Sequence, residues 1–255
     1  MPISFITDPA DSRLDDYRDL HDRRLNEEGR RFIAESELVV RELLSSGLPV
    51  HSVLLTAPRL SALEGVLGDA NVLVAPQELL DGVTGFHVHR GCLAIGERPT
   101  RTELPDGARA IVVLEDLVDV DNVGATIRNA AALGADAIVL SPRCADPFYR
   151  KAIRVSMGAV FRMPLVRATA WPGDLKALRD RGFAIVGAVL DPDAVPIQSF
   201  EPPARFALVL GTEGPGLSAG TKQLCDARVT IPMKAADSLN VATAGAVLLH
   251  QLMRR

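Results

Sequence analysis

Aromatic residues are scarce in this chain of 255 residues, at 4%: one Trp, two Tyr and eight Phe. Any core must therefore be built from Ala, Val, Leu and Ile, and hydrophobic residues at 47% suffice for one large core or two modest ones. Cysteine is rarer still. Cys92, Cys144 and Cys225 lie far apart, with no CxxC pair and no histidine at ligand spacing, which argues against a disulfide framework and against a bound metal. No apolar run reaches the roughly 18 to 20 residues that span a bilayer. The segment Met1–Asp22 is charged and lacks the apolar stretch of a signal peptide. A cytoplasmic protein without membrane contact is expected. There is no excess of positive charge either: the net charge of −4 argues against holding nucleic acid by bulk electrostatics. Internal repeats and low-complexity tracts are also lacking.

The charge that is present is unevenly placed. Between Ser141 and Arg167 stand six basic residues, Arg143, Arg150, Lys151, Arg154, Arg162 and Arg167, against one acid, Asp146. That density predicts a local phosphate-binding surface. Asp11–Arg31 instead mixes six arginines with seven acids and reads as a solvated helix.

Pro99, Pro105 and Gly107 mark a linker, placed at 99–109. Upstream, residues 29–98 read as a small α/β domain, preceded by a loose extension over 1–28. Arg30–Leu44 has helical periodicity and stops at Gly47. Leu60–Leu67 reads as a short helix, and Val53–Leu55, Val72–Val74 and Cys92–Ile95 as strands. Downstream, over 110–255, near-continuous apolar runs at Ala110–Leu114, Ala137–Leu140, Ala184–Leu190 and Phe206–Leu210, with a shorter one at Arg228–Ile231, alternate with helical stretches. Runs apolar on both faces predict a buried parallel sheet. A last helix, about Asn240–Met253, carries Ala242, Ala244, Gly245 and Ala246, which admit a close second backbone from the same chain or from a partner subunit.

Three motifs sit where strands give way to helices, the crevice in which open α/β sheets bind ligands. The first runs from Leu114-Glu115-Asp116 through Asp121-Asn122-Val123-Gly124 to Arg128-Asn129-Ala130. Asp121 or Asn122 caps its helix and Gly134 provides a left-handed stop. Around Arg128, the helical neighbours Gly124, Ala125, Ala131 and Ala132 are no larger than a methyl group, so the cation is open to whatever docks there. The second is Leu210-Gly211-Thr212-Glu213-Gly214-Pro215-Gly216-Leu217-Ser218. No Gly-Lys-Ser/Thr follows and the GxGxxG order is missing, so it is neither a P-loop nor a dinucleotide fingerprint. A carboxylate at its centre suits hydrogen-bond donors or a cation and not phosphate. The third is Ile231-Pro232-Met233 followed by Ser238-Leu239-Asn240-Val241, with Ser238 or Asn240 as helix cap.

In this order and spacing the motifs resemble the SpoU (TrmH-like) family of RNA ribose 2′-O-methyltransferases of the SPOUT superfamily, from about Phe32 to the C-terminus and most closely over Val112–Leu249. The resemblance implies a C-terminal parallel-sheet domain threaded into a deep trefoil knot, preceded by a small ribosomal-protein-like RNA-binding domain. It implies S-adenosylmethionine as cofactor, held by Leu190, Leu210, Gly211, Glu213, Gly214, Ile231, Met233, Ser238, Leu239 and Asn240. Arg128, Asn122, Glu213, Ser238 and Asn240 are the implied catalytic residues, and Arg143, Arg150, Lys151, Arg154 and Arg90 the RNA-binding ones. Arg128 is the family's base; a guanidinium with a pKa above about 12 is better suited to steadying an alkoxide or a phosphate. The implied partners are RNA, ribosomal in preference to transfer, and a second copy of the chain in a homodimer. Two departures are Ser36 where the family has Gly, and Thr212 where Asn is common. His87 and His89, two apart near the end of the small domain, read as structural or RNA-contacting. The rival readings are an RNA-binding or assembly factor that has kept the fold without activity, a base methyltransferase, and a nucleotide-binding enzyme using the Gly-rich loop.

Overall fold

The computed structural model describes residues 2–18, 31–88, 91–99 and 103–254. They form two compact units, the first comprising the chain up to Thr100 together with Phe148–Arg162, the second Arg101–Pro147 and Met163–Arg255.

The first unit is built on a five-stranded sheet. Its strands are β1 (Ile3–Phe5), β2 (Arg31–Glu35), β3 (Val50–Leu55), β4 (Val72–Val74) and β5 (Cys92–Glu97), in the order β1-β4-β3-β5-β2. β1, β4 and β3 are parallel, and β5 runs antiparallel to both β3 and β2. Helices α1 (Glu37–Leu44), α2 (Ala57–Leu63) and α3 (Gln77–Thr84) connect them. Two expectations need correction. The apolar stretch expected as one helix over Arg30–Leu44 is split: Phe32, Ile33 and Ala34 are buried in β2, and the helix begins only after Ser36. A run buried on both faces satisfies a strand as well as a helix, and pairing with β5 decides. Nor is the N-terminal extension loose up to Arg18. β1 lengthens the sheet, residues 12–17 form a 3-10 helix, and Leu14 and Tyr17 are fully buried, the Tyr17 hydroxyl lying 2.8 Å from Ser52 Oγ. Of the rest of the helix expected up to Arg31, residues 19–30 lie outside the described residues and Arg31 opens β2.

The second unit opens with β6 (Ala110–Leu114), α4 (Val120–Ala132) and β7 (Ala137–Leu140). The chain then enters the first unit as α5 (Arg150–Val155), where Phe148 and Phe161 pack on Phe32 with ring centroids 5.1 and 5.3 Å away. This departs from the expected continuous 110–255 domain. The aromatics that fill this side of β2 come from 116 to 129 residues further along, a link that no local pattern reveals. Back in the second unit follow β8 (Leu165–Arg167), α6 (Asp174–Asp180), β9 (Ala184–Ala188), β10 (Val195–Pro196), β11 (Phe206–Leu210), α7 (Ala219–Leu224), β12 (Ala227–Thr230) and α8 (Val241–Leu252). All seven strands are parallel, in the order β10-β12-β9-β11-β6-β7-β8. The apolar runs at 110–114, 137–140 and 206–210 coincide with strands buried at every residue. Among the described residues, no helix is long and apolar enough to cross a membrane.

Candidate active site

Three returns of the chain to the sheet deliver the site. β9 ends before Leu190 and Asp191, β11 before the loop 211–217, and β12 before Ile231–Met233. Their carboxyl ends and the start of α8 enclose a cavity of about 480 Å³, a size suited to a nucleoside-like ligand. All ten residues expected to hold a cofactor line it. Leu190, Leu210, Ile231, Met233 and Leu239 give apolar wall, and Gly211, Glu213, Gly214, Ser238 and Asn240 give backbone and polar groups. Leu190 at 61% and Leu239 at 40% exposure leave apolar surface open to a ligand. Asp191 and Lys222, which also line the cavity, were not anticipated. They form an ion pair at 2.8 Å, and the hydrogen bond from Lys222 holds the Asp191 carboxyl below the usual carboxylate range.

The Gly-rich loop closes on itself: Gly216 N–H donates to the Thr212 carbonyl at 3.1 Å, and a Cβ on Gly211 would stand 2.3 Å from the Gly216 carbonyl carbon. Glu213 reaches from this loop to the other two motifs. Its Oε1 accepts from Asn122 Nδ2 at 2.8 Å and from Asn240 Nδ2 at 3.2 Å, while Asn240 Nδ2 also lies 2.8 Å from Asn122 Oδ1. One residue from each motif thus meets at a single point. Asn240 caps α8 as well, its Oδ1 accepting from Ala242 N–H and Thr243 N–H. Ser238, though on the cavity wall, is not part of that hydrogen-bonded trio. The cap of α4 is neither Asp121 nor Asn122 but Asp119, which accepts from both of their N–H groups. An Asp two residues ahead of the first polar helical position was a legible signal. The αL stop is at Gly134, as expected (φ +85°).

Arg128 lies on the outward side of α4, exposed, with Ala131 and Ala132 exposed beside it. It makes no hydrogen bond or ion pair within the described residues. α8 packs on α4, with Asn129 Nδ2 donating to the Ala242 carbonyl at 2.9 Å. Gly245 packs against Leu210 of β11, so this small residue serves packing within the chain.

The basic segment is divided between the units, and much of its charge is matched. Arg143 pairs with Asp116. Arg150 lies 3.8 Å from Glu35 and over the Phe86 ring, and Arg162 pairs with Glu42 at 2.8 Å. Arg167 donates to the carbonyls of Ser141, Pro142 and Cys144. Lys151 and Arg154 are exposed on α5. The sequence count of six bases against one acid missed these partners because they come from distant positions. His87 Nδ1 lies 2.8 Å from Asp81 Oδ2. Arg90 and His89 lie outside the described residues.

A nucleoside-sized cavity at the carboxyl ends of parallel strands, walled by a Gly-rich loop and rimmed by two Asn and a Glu, defines an α/β enzyme for a ligand both apolar and polar. The profile of the SpoU rRNA methylase family matches residues 109–250. The chain belongs to that family and is an RNA methyltransferase. It is 40% identical to an uncharacterised tRNA/rRNA methyltransferase of Mycobacterium tuberculosis, over all of this chain and 93% of the relative. It is 29% identical to a 23S rRNA guanosine 2′-O-methyltransferase of Bacillus subtilis, over 97% of this chain and 98% of that one. The solved AdoMet-bound rRNA methyltransferase of Sinorhizobium meliloti superposes with a TM-score of 0.82 at 25% identity, covering 98% of this chain and 97% of the other.

Proposed function

We propose that the protein transfers a methyl group from S-adenosylmethionine to a ribose 2′-hydroxyl of ribosomal RNA. The observation that carries this is the meeting of Asn122, Glu213 and Asn240 at the rim of a cavity lined by all ten expected cofactor residues. The cavity fits that ligand: apolar Leu and Ile walls for the adenosine, and a carboxylate of the right sign for a sulfonium. The Bacillus subtilis relative's 2′-O-methylation of 23S rRNA favours ribose over base and ribosomal over transfer RNA.

When bound, S-adenosylmethionine would supply an electrophilic methyl carbon whose bond to sulfur breaks as the 2′-oxygen bonds to it, the hydroxyl proton passing to solvent. The chain's own contribution is chiefly position. Asn122 and Asn240 fix the Glu213 carboxylate, and a reactive alignment of two substrates is worth several kcal/mol. Arg128, long and unencumbered, steadies the developing alkoxide or the neighbouring phosphate. The first unit is the RNA-binding domain, in which Lys151, Arg154 and Arg150 would contact phosphate, and Arg143 of the second unit is a further phosphate-binding candidate. A trefoil knot in the C-terminal segment is supported by β11 inserted between β9 and β6 and by α8 returning to pack on α4. A homodimer is supported by the exposed Val247 and Met253 of the α8 region and by the small residues beside Arg128.

The test is calorimetric titration with S-adenosylmethionine, followed by mapping of the transferred methyl group by nuclease digestion and mass spectrometry. Micromolar binding at one site per subunit and a 2′-O-methylated nucleotide are expected. Arg128→Ala is expected to keep that affinity and lose about 10²-fold or more in rate. An unchanged rate refutes the role of Arg128, a methylated base refutes the ribose assignment, and absence of binding favours an RNA-binding factor.

A further inference from the structure

We propose that Glu115 is the positioning residue that sets the shape of the cofactor loop by holding both of its ends. The inference rests on the reading of the cavity as the S-adenosylmethionine site. Glu115 directly follows β6 and is 2% exposed. Its N–H donates to the Leu210 carbonyl at 2.8 Å, fixing the residue ahead of the loop. Its Oε2 accepts from Ser218 N–H at 3.0 Å, and its Oε1 from Ser218 Oγ at 2.7 Å, fixing the residue behind it. Between those two points lie residues 211–217, all of which line the cavity. Oε1 also accepts from Thr221 Oγ1 at 2.7 Å and from Nε1 of Trp171 at 2.8 Å, the one tryptophan of the chain. Ser218 caps α7 by accepting from Thr221 N–H, so the clamp joins β6, β11, α7 and the segment before α6.

The chemistry admits only a carboxylate. Oε2 faces a backbone N–H and Oε1 faces an indole N–H, and neither group can turn round and accept. A glutamine has one oxygen, so in either orientation its NH2 is driven against a fixed donor and leaves that donor buried without a partner. The hydroxyls of Ser218 and Thr221, by contrast, can rotate. Removing the indole N–H should therefore make the amide tolerable, with its oxygen toward Ser218 N–H and its NH2 toward the hydroxyls.

The test compares wild type, Glu115→Gln, Trp171→Phe and the double variant for S-adenosylmethionine Kd by calorimetry, RNA Kd by filter binding, KM for each substrate, and thermal unfolding. Glu115→Gln is expected to raise the Kd and KM for S-adenosylmethionine at least tenfold, with RNA affinity within twofold. Trp171→Phe alone is expected to raise the Kd two- to fivefold, and the double variant to recover most of what Glu115→Gln loses. A folded Glu115→Gln that binds like wild type overturns the inference, as does a double variant no better than the single one. Should Glu115→Gln not fold, Trp171→Phe together with a folded double variant that binds S-adenosylmethionine still tests the clamp; failure of the double variant to fold overturns it. A wild type that binds no S-adenosylmethionine overturns the cofactor reading and this inference with it, whereas normal wild-type binding confines any failure to the role of Glu115.

Discussion

Gly211 opens the loop 211–217 at a position where a methyl group has nowhere to go. An added Cβ would stand 2.3 Å from the carbonyl carbon of Gly216, 2.5 Å from Leu217 N and 2.6 Å from the Gly216 oxygen. Non-bonded carbon contacts sit at about 3.5 to 4.0 Å, so the two arms of the loop must part by roughly 1 Å. Main chain on the far side, itself held through Ser218 by Glu115, cannot yield as a flexible side chain would. Overpacking of this kind costs about 1 to 3 kcal/mol, which in a protein of this size corresponds to a fall in Tm of roughly 2 to 4 °C per kcal/mol. Because the displaced arm is cavity wall, Gly211→Ala should also weaken S-adenosylmethionine about tenfold or more, a loss of about 1.4 kcal/mol or more. Gly216→Ala separates the causes. Gly216 has φ +69° with open space around its missing Cβ, so alanine there meets only the left-handed backbone penalty of about 1 to 2 kcal/mol. Scanning fluorimetry with and without ligand, together with calorimetry, reads both quantities. A Gly211→Ala protein with unchanged Tm and a Kd within twofold of wild type would show that the loop is not closed as described.

Ser36 adopts φ +85° with ψ 149° and makes no side-chain cap bond, a conformation that suits glycine. Ser36→Gly should therefore stabilise the first unit by about 1 kcal/mol in denaturant unfolding, and a loss of stability would refute the strain. Asp116 accepts from Arg143 and Ser141, and the Arg143 guanidinium foremost lowers its pKa. Its folded value is depressed, so its contribution is present above the unfolded value of about 4 and lost as pH falls through the folded one. Asp116→Asn should cost about 1 kcal/mol or less at pH 7, given the exposure of Arg143, and progressively less as the pH falls below the unfolded value and through the folded one; a cost independent of pH contradicts this. A double-mutant cycle on Asn122→Ala and Asn240→Ala, read as S-adenosylmethionine affinity, should give a coupling of about 1 kcal/mol. Strict additivity would separate the two amides.

What could be read from the sequence follows a physical division. Buried parallel strands announce themselves, since a run such as Phe206–Leu210 must be apolar on both faces wherever it sits in the sheet. Residues whose role depends on main-chain placement, such as Gly211 and Asn240, were legible through motif order, because strand ends place them at one crevice whatever the loops do. Illegible were the partnerships made across the chain. Arg150 meets Glu35 over a separation of 115 residues and Arg162 meets Glu42 over 120, so a segment that reads as a free basic patch is substantially neutralised on folding. Glu115 is the converse case. In sequence it is one letter in a motif. Only the fold shows that its donors arrive from 56, 103 and 106 residues away. Short-range pattern fixes which faces are buried, whereas the polar contacts that shape a cavity are decided by which distant donors the buried faces bring together. Structural positioning residues such as Glu115 are therefore the class of functional residue that sequence patterns hide most completely.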